Sequence, residues 1–294
     1  MKTLILIITI IAIVIFLSPA NQMTFIKWVG GKSKHLNKIL PKFPTDTKDM
    51  VYVEPFIGSG SVLIEFLKTK PKIKSCICSD ANRQLITTFR QIKRHPNELI
   101  TRLSALSKEY KEADNKENLY YEYRGKYNNE AITDLETAAV FIFLNKTCFR
   151  GLYRLNKDNK FNVPFGHYKN PQLVDTEYIA TISELFKEYH VKFTVCGYQD
   201  MLANLNHDEK YLIYLDPPYL NTFDSYTINK FNTNEFIDMV SKMNTKNNKL
   251  VVSNSEDFYK ENPKLLPYHE VFNVCDKINS KMPDKMRTEV VMWN

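Results

Sequence analysis

The chain has 294 residues, 44% hydrophobic and 25% charged, with no low-complexity tract and no solenoid-period repeat, which suits one large or two modest globular domains. Forty Lys and Arg against 33 Asp and Glu give a formal charge of +7, compatible with a polyanionic partner but common without one. Cys76, Cys78, Cys148, Cys196 and Cys275 form no Cys-x-x-Cys pair beside a second pair or a histidine, so a zinc site is not expected and the thiols read as buried ones of a reducing compartment.

The first element, residues 1–22, carries Lys2, an apolar run from Leu4 to Leu17, and then Ser18-Pro19-Ala20. It reads as an export signal, as a membrane anchor, or as an extension upstream of a functional start at Met23. The rest of the chain argues for a cytoplasmic enzyme. From Met23 a βα rhythm begins. In "FIKWVGGKSKHL" (25–36) the paired glycines allow a sharp turn and Lys32 begins a helix. Trp28 is either a packing residue there or a cover for an adenine or sulfonium face. "MVYVE" (50–54) is a strand, "PFIGSGS" a Gly-rich turn and "VLIEFL" a helix; "KIKSCICSD" (72–80) is a second strand before the helix "ANRQLITTFRQIKRH". Glu54 ends the first strand, and Gly58 and Gly60 allow close backbone approach. Asp80 stands where an acid accepts hydrogen bonds from a ribose, or where it caps a helix. The missing third glycine argues against a pyrophosphate, so the combination suggests an adenosine-type ligand.

Between His95 and Tyr189 the rhythm stops. "PNELITRLSALSKEYKEA" and "DLETAAVFIFLNKT" are helical, and "FRGLYRLNKDNKFNVPFG" reads as a hairpin with a polar tip. The expected organisation is therefore a split core, 23–94 and 190–294, around an inserted, mainly helical domain at 95–189. Strands resume at "VKFTVC" (191–196), "YLIYL" (211–215) and "KLVVSNS" (249–255), with the helix "TNEFIDMVSKM" between the last two. The fold class is α/β, a doubly wound parallel sheet. The final stretch is basic and then strand-like; Lys277, Lys281, Lys285 and Arg287 read equally as phosphate contacts or a solvated loop.

The segment "YLIYLDPPYL" (211–220) runs an apolar strand into Asp216, Pro217, Pro218 and Tyr219. Asp216 sits at the carboxyl end of a strand, where open α/β sheets bind ligands. The prolines fix the backbone, so the carboxylate and the nearby carbonyls become rigid acceptors beside an aromatic face. An exocyclic amine of a base needs this, because its lone pair is delocalised into the ring. Accepting its N–H protons favours a more tetrahedral, reactive nitrogen, while the ring stacks on a base turned out of the helix.

Trp28-Val29-Gly30-Gly31-Lys32, Glu54-Pro55-Phe56-Ile57-Gly58-Ser59-Gly60-Ser61, Asp80-Ala81-Asn82, "FNVPFG" (161–166) and Asp216-Pro217-Pro218-Tyr219 occur in that order. The sequence resembles the Dam-type DNA N6-adenine methyltransferases from about Thr24 to its C-terminus. The resemblance implies a Rossmann-like methyltransferase sheet, S-adenosylmethionine (SAM) as cofactor, double-stranded DNA as partner, and direct methyl transfer to adenine N6 without a metal. It assigns Trp28 and Lys32 to a SAM-contacting motif, Glu54, Phe56, Gly58 and Gly60 to the methionine-side loop, and Asp80 to the ribose. Asp200 falls near the cofactor adenine, Asp216 to Tyr219 form the catalytic motif with Asp216 also close to SAM, and Ser253 to Ser255 line the target-base pocket. The insertion becomes a target-recognition domain whose hairpin presents Phe149, Arg150, Leu152, Arg154, Asn162 and Pro164 to DNA. Arg154 matches a guanine-reading arginine and Phe149 an aromatic wedge. GATC is the expected target, left open by one departure: Arg150 stands where GATC-methylating relatives have Asn. The alternatives are an RNA or protein-amide methyltransferase and a DNA-binding relative without catalysis.

Overall fold

The computed structural model describes residues 24–219, 231–275 and 286–294; segment 1–22 and Lys277, Lys281 and Lys285 lie outside them. The elements begin with a short helix α1 (Leu36–Ile39), then β1 (Met50–Glu54), α2 (Ser61–Lys68), β2 (Ser75–Asp80), α3 (Arg83–Arg94), α4 (Pro96–Glu112), α5 (Lys116–Asn129) and α6 (Asp134–Thr147). They continue with α7 (Thr176–Glu188), β3 (Lys192–Val195), α8 (Tyr198–Ala203), β4 (Lys210–Leu215) and α9 (Thr233–Met243). Last come β5 (Lys249–Ser255), α10 (Glu256–Glu261), β6 (Tyr268–Cys275) and β7 (Met286–Trp293).

The seven strands form one sheet in the order β3-β2-β1-β4-β5-β7-β6. Strands β1 to β5 pair in parallel, and β7 runs antiparallel to both of its neighbours. Every residue of β1 is buried, as is every residue of β4 after Lys210. Strands covered on both faces need apolar side chains on both, which is why these two read as unbroken apolar runs. Alternation then divides the core. Tyr52, Leu212 and Tyr214 join one cluster, while Val51, Val53, Ile213 and Leu215 join another with Phe236, Val240 and Phe258.

From β1 the chain winds outward through β2 to β3, then returns to lay β4 on the other side of β1. Loops leaving the carboxyl ends of β1 and β4 therefore diverge and open a crevice, the place where such sheets hold ligands. The Gly-rich turn and the Asp-Pro-Pro-Tyr turn both begin there.

No residue between His95 and Tyr189 joins the sheet. Leu99, Leu103 and Leu106 of α4, Tyr120 of α5, Phe143 of α6 and Phe186 of α7 are fully buried in the same cluster as Phe89 of α3 and Tyr52. Burying each such side chain contributes roughly 1.5–3 kcal/mol. The block 95–189 shares its core with the sheet. Helices α5, α6 and α7 begin on side-chain caps: Asn115 Oδ1 accepts from Asn118 N, Thr133 Oγ1 from Glu136 N and Asp175 Oδ1 from Tyr178 N. Residues 148–165 form an irregular hairpin with antiparallel bridges at Cys148–Phe165 and Leu155–Phe161. Asn156 closes its tip, its Oδ1 accepting from Asp158 N (3.0 Å) and Lys160 N (2.9 Å).

Candidate functional site

The crevice is built from three short segments. At the end of β1, Glu54 is buried and its Oε2 accepts a 2.9 Å hydrogen bond from Tyr52 Oη. Burial raises its pKa well above the usual carboxylate range, opposed by that hydrogen bond and reinforced by the negative Asp216 nearby. The turn that follows needs left-handed backbone at Gly58 (φ 48°) and Gly60 (φ 70°). A Cβ on Gly58 would also meet Trp28 Cδ1 at 3.0 Å, and one on Gly60 would meet the Phe89 ring at 2.9 Å. Asp80, at the tip of β2, holds this turn: Oδ2 accepts from Gly58 N (3.2 Å) and Oδ1 from Asn82 N (2.9 Å). Burial lifts its pKa to about 6, with the backbone hydrogen bonds pulling it back. Asp80 does not cap α3; Asn82 does, its Oδ1 accepting from Leu85 N at 2.9 Å.

Lys32 opens a 3₁₀ turn, Lys32–Lys34, rather than a full helix, because α1 starts only at Leu36. Its ammonium is folded back into the crevice and the residue is 4% exposed. Nζ donates to Gly30 O at 2.8 Å and stands 2.8 Å from Asp216 Oδ1, and it lies 4.9 Å from the centre of the Tyr219 ring. That oxygen is buried, and the Lys32 ammonium is its charge partner. Burial raises the Asp216 pKa to about 6; Lys32 lowers it and Glu289 raises it. Asp216 and Tyr219 thus share one cation at the β4 tip, beside the Glu54 carboxyl.

The other expected cofactor residues take different places. Trp28 is half-buried against Gly58 and stacks on Tyr153 (5.7 Å between centroids, 29° between planes). Phe56 packs on Tyr198 at 5.2 Å. Asp200 is exposed in the first turn of α8, and no hydrogen bond among the described residues joins its carboxylate to Asp80 or Gly58. Pro217 and Pro218 follow Asp216 outside any strand.

On the hairpin, Phe149 is 44% exposed, with the Arg150 guanidinium 5.2 Å from its ring centre. Arg150 adopts left-handed backbone (φ 57°), a conformation Asn tolerates better than Arg. Leu152 is half-buried on the main core, while Pro164 is exposed and its carbonyl accepts from Phe149 N at 2.8 Å. Arg154 is exposed and bound to Asn162 across the hairpin: Nε donates to Asn162 Oδ1 (2.7 Å) and Nη2 to Asn162 O (3.2 Å). Of the basic C-terminal residues, Arg287 alone is described, on β7.

Three contributors escape sequence reasoning. Asn145, buried in α6, accepts from Lys27 N (2.7 Å) and donates to Lys27 O (2.8 Å) and Gly151 O (3.1 Å), tying the segment before Trp28 to the hairpin. Its one signal is a polar residue inside an apolar helical run. Tyr153 lies between half-buried Leu152 and exposed Arg154 yet turns inward onto Trp28. Glu289, on β7 opposite Ser255, raises the pKa of both Asp216 and Tyr219. Ser253 is buried with its Oγ 2.9 Å from Tyr214 Oη, Asn254 Oδ1 accepts from Ser255 N (2.7 Å), and Ser255 caps α10. Among the described residues, no group of three or more His, Cys, Asp or Glu could hold a metal ion, and no helix is long and apolar enough to cross a membrane.

Residues 28–279 match the family model described as D12 class N6 adenine-specific DNA methyltransferase. The chain is 34% identical over 275 residues to the type II methyltransferase M.MjaIII of Methanocaldococcus jannaschii, covering 88% of this chain and 91% of that one. It is 30% identical to the type II methyltransferase M1.LlaDCHI of Lactococcus lactis subsp. cremoris (82% and 86% covered) and 31% identical to the DNA adenine methylase of Escherichia coli strain K12 (74% and 72% covered). With the Asp216 turn and the Gly58–Asp80 turn meeting at the sheet's switch point, the matched span takes in both sides of the crevice, and the chain belongs to the D12 class of N6 adenine-specific DNA methyltransferases.

Proposed function

We propose that the protein transfers the methyl group of SAM to N6 of an adenine turned out of duplex DNA, within a short recognition sequence for which GATC is the first candidate. The observation that carries this reading is the Asp216 carboxylate. It is held at the β4 tip against the buried Lys32 ammonium, and Tyr219 stands beside it. An exocyclic amine has two N–H donors, and the Asp216 carboxylate and the carbonyls of the proline turn are rigid acceptors for them. Polarising the amine toward these acceptors localises its lone pair for attack. The proton lost after transfer leaves through the carboxylate, which burial already makes a better base than a solvated one. Tyr219 gives the displaced base an aromatic face.

A SAM molecule would lie along the Gly58–Asp80 turn, where left-handed glycines keep the backbone free of side chains and Asp80 holds its shape. Asp80 would hold the ribose, Glu54, Phe56, Gly58 and Gly60 the methionine side, Trp28 and Lys32 the opposite wall, and Asp200 the adenine. When bound, SAM supplies an electrophilic methyl on a sulfonium. Residues 95–189 would form the target-recognition unit, acting in the cytoplasm where DNA is accessible. The hairpin's exposed Phe149, Arg150 and Arg154 face outward to read it, with Leu152, Asn162 and Pro164 beside them.

The test is transfer of labelled methyl from SAM to unmethylated duplex, with structured RNA and peptide as competing acceptors, followed by sequencing of the modified sites. Asp216→Ala is expected to abolish transfer and to leave duplex affinity within a few-fold; full transfer by that variant would overturn the mechanism.

A further inference from the structure

Asn162 stands among the outward-facing residues of the hairpin, yet both its oxygens and its backbone N–H are already engaged. Its side-chain oxygen and its backbone oxygen accept from Nε and Nη2 of Arg154, and its own N–H donates to Arg154 O at 3.1 Å. The strand on either side of it is pinned to α5. Asn128 accepts from Phe161 N (2.9 Å) and donates to Phe161 O (2.9 Å), while Tyr120 Oη (2.7 Å) and Arg124 Nη1 (3.1 Å) both donate to Val163 O. Phe161 and Val163 are buried beneath. Asn162 thus lies between two anchored residues, and it grips the side edge of an otherwise flexible guanidinium.

We propose that Asn162 is a positioning residue for Arg154. By occupying Nε–H and one Nη2–H, it leaves the opposite, end-on edge (Nη1 and the second Nη2–H) presented in a fixed direction. That edge matches two adjacent acceptors, which on a guanine in the major groove are O6 and N7. A long arginine held this way loses less rotamer freedom when it meets its target, so discrimination sharpens without any contact of Asn162 with DNA. This inference rests on the methyltransferase reading and names the base class that its hairpin selects.

The experiment measures kcat/KM on the duplex defined by sequencing and on duplexes in which each guanine of the site is replaced in turn by 7-deazaguanine, which lacks the N7 acceptor. The wild type is expected to prefer the natural duplex at one position by about 5- to 150-fold. Asn162→Ala should shrink that preference at least fivefold; Asn162→Asp, which keeps the acceptors, should retain it. In an Arg154→Ala background, adding Asn162→Ala should change nothing further. Equal loss on both duplexes, an unchanged preference, or a further loss in the Arg154→Ala background would each overturn the proposal. Absence of transfer by the wild type to any duplex would instead overturn the function on which it rests.

Discussion

Removing the ammonium that faces Asp216 isolates what that charge does. Lys32→Met keeps the length and apolar stem of the side chain and deletes the cation 2.8 Å from Oδ1. An opposite charge at such a distance depresses a carboxylate pKa by about 1–3 units. Without it, Asp216 would move from about 6 to about 7–9, and its ionised fraction at pH 7 would fall from about nine-tenths to between about one-half and one-hundredth. Transfer needs the carboxylate ionised as an acceptor. The single-turnover rate at saturating SAM and duplex should therefore drop by about 2- to 100-fold at pH 7 and recover as pH rises toward 9. The assay is rapid-quench methyl transfer from pH 5 to pH 9.5 for both proteins. The wild type should show a rising limb centred near pH 6. A Lys32→Met profile with the wild-type midpoint would refute the role assigned to the cation.

The same carboxylate affects stability. Its native pKa of about 6 lies above the ordinary 3.8, so the folded state holds the proton more tightly. The contribution to folding is full below about pH 4 and lost as pH rises through 6, a change of about 3 kcal/mol that Asp216→Asn should remove from the pH dependence of urea midpoints. Gly60→Ala forces a side chain into left-handed backbone and onto Phe89; it should cost about 1–3 kcal/mol in denaturant melts and weaken SAM binding in calorimetry. Gly125 lies mid-helix in α5, where an added methyl would meet only open space, so Gly125→Ala should stabilise by about 0.5–1 kcal/mol, seen as a higher urea midpoint. Asp80→Asn weakens the charge-assisted bonds to Gly58 and Asn82 and should reduce SAM affinity by about 10- to 100-fold by titration calorimetry.

The strands that carry the site are legible because a parallel sheet buries both faces and writes itself as apolar runs: "MVYVE" and "KLVVSNS" have the bounds of β1 and β5. Helix α6 matches its apolar stretch for the same reason. Helices α5 and α7 and strand β6 do not announce themselves in this way. Helix α5 is rich in Tyr and Asn, buries only Tyr120 and Tyr123, and owes its place to partners on the hairpin rather than to its own periodicity. Asp80 can be set near Gly58 from sequence because both stand at the carboxyl ends of neighbouring parallel strands. The pairing of Lys32 with Asp216 joins residues from distant parts of the chain, and no local pattern reports it. Tyr153 and Asn145 escape likewise, because their meaning lies in what packs across from them.

The hairpin divides its labour between two sets of side chains. Tyr153, Phe161, Val163 and Phe165 are locked into the same interior that supports the sheet, whereas Phe149, Arg150 and Arg154 project outward. Exchanging the outward set leaves the interior untouched, and such surface changes usually alter stability by no more than about 0.5 kcal/mol. With the outward set reading DNA as proposed, selection would retune the contacted sequence in single steps, each tolerated by the scaffold, and lineages sharing this framework would diverge in preference long before they diverge in shape.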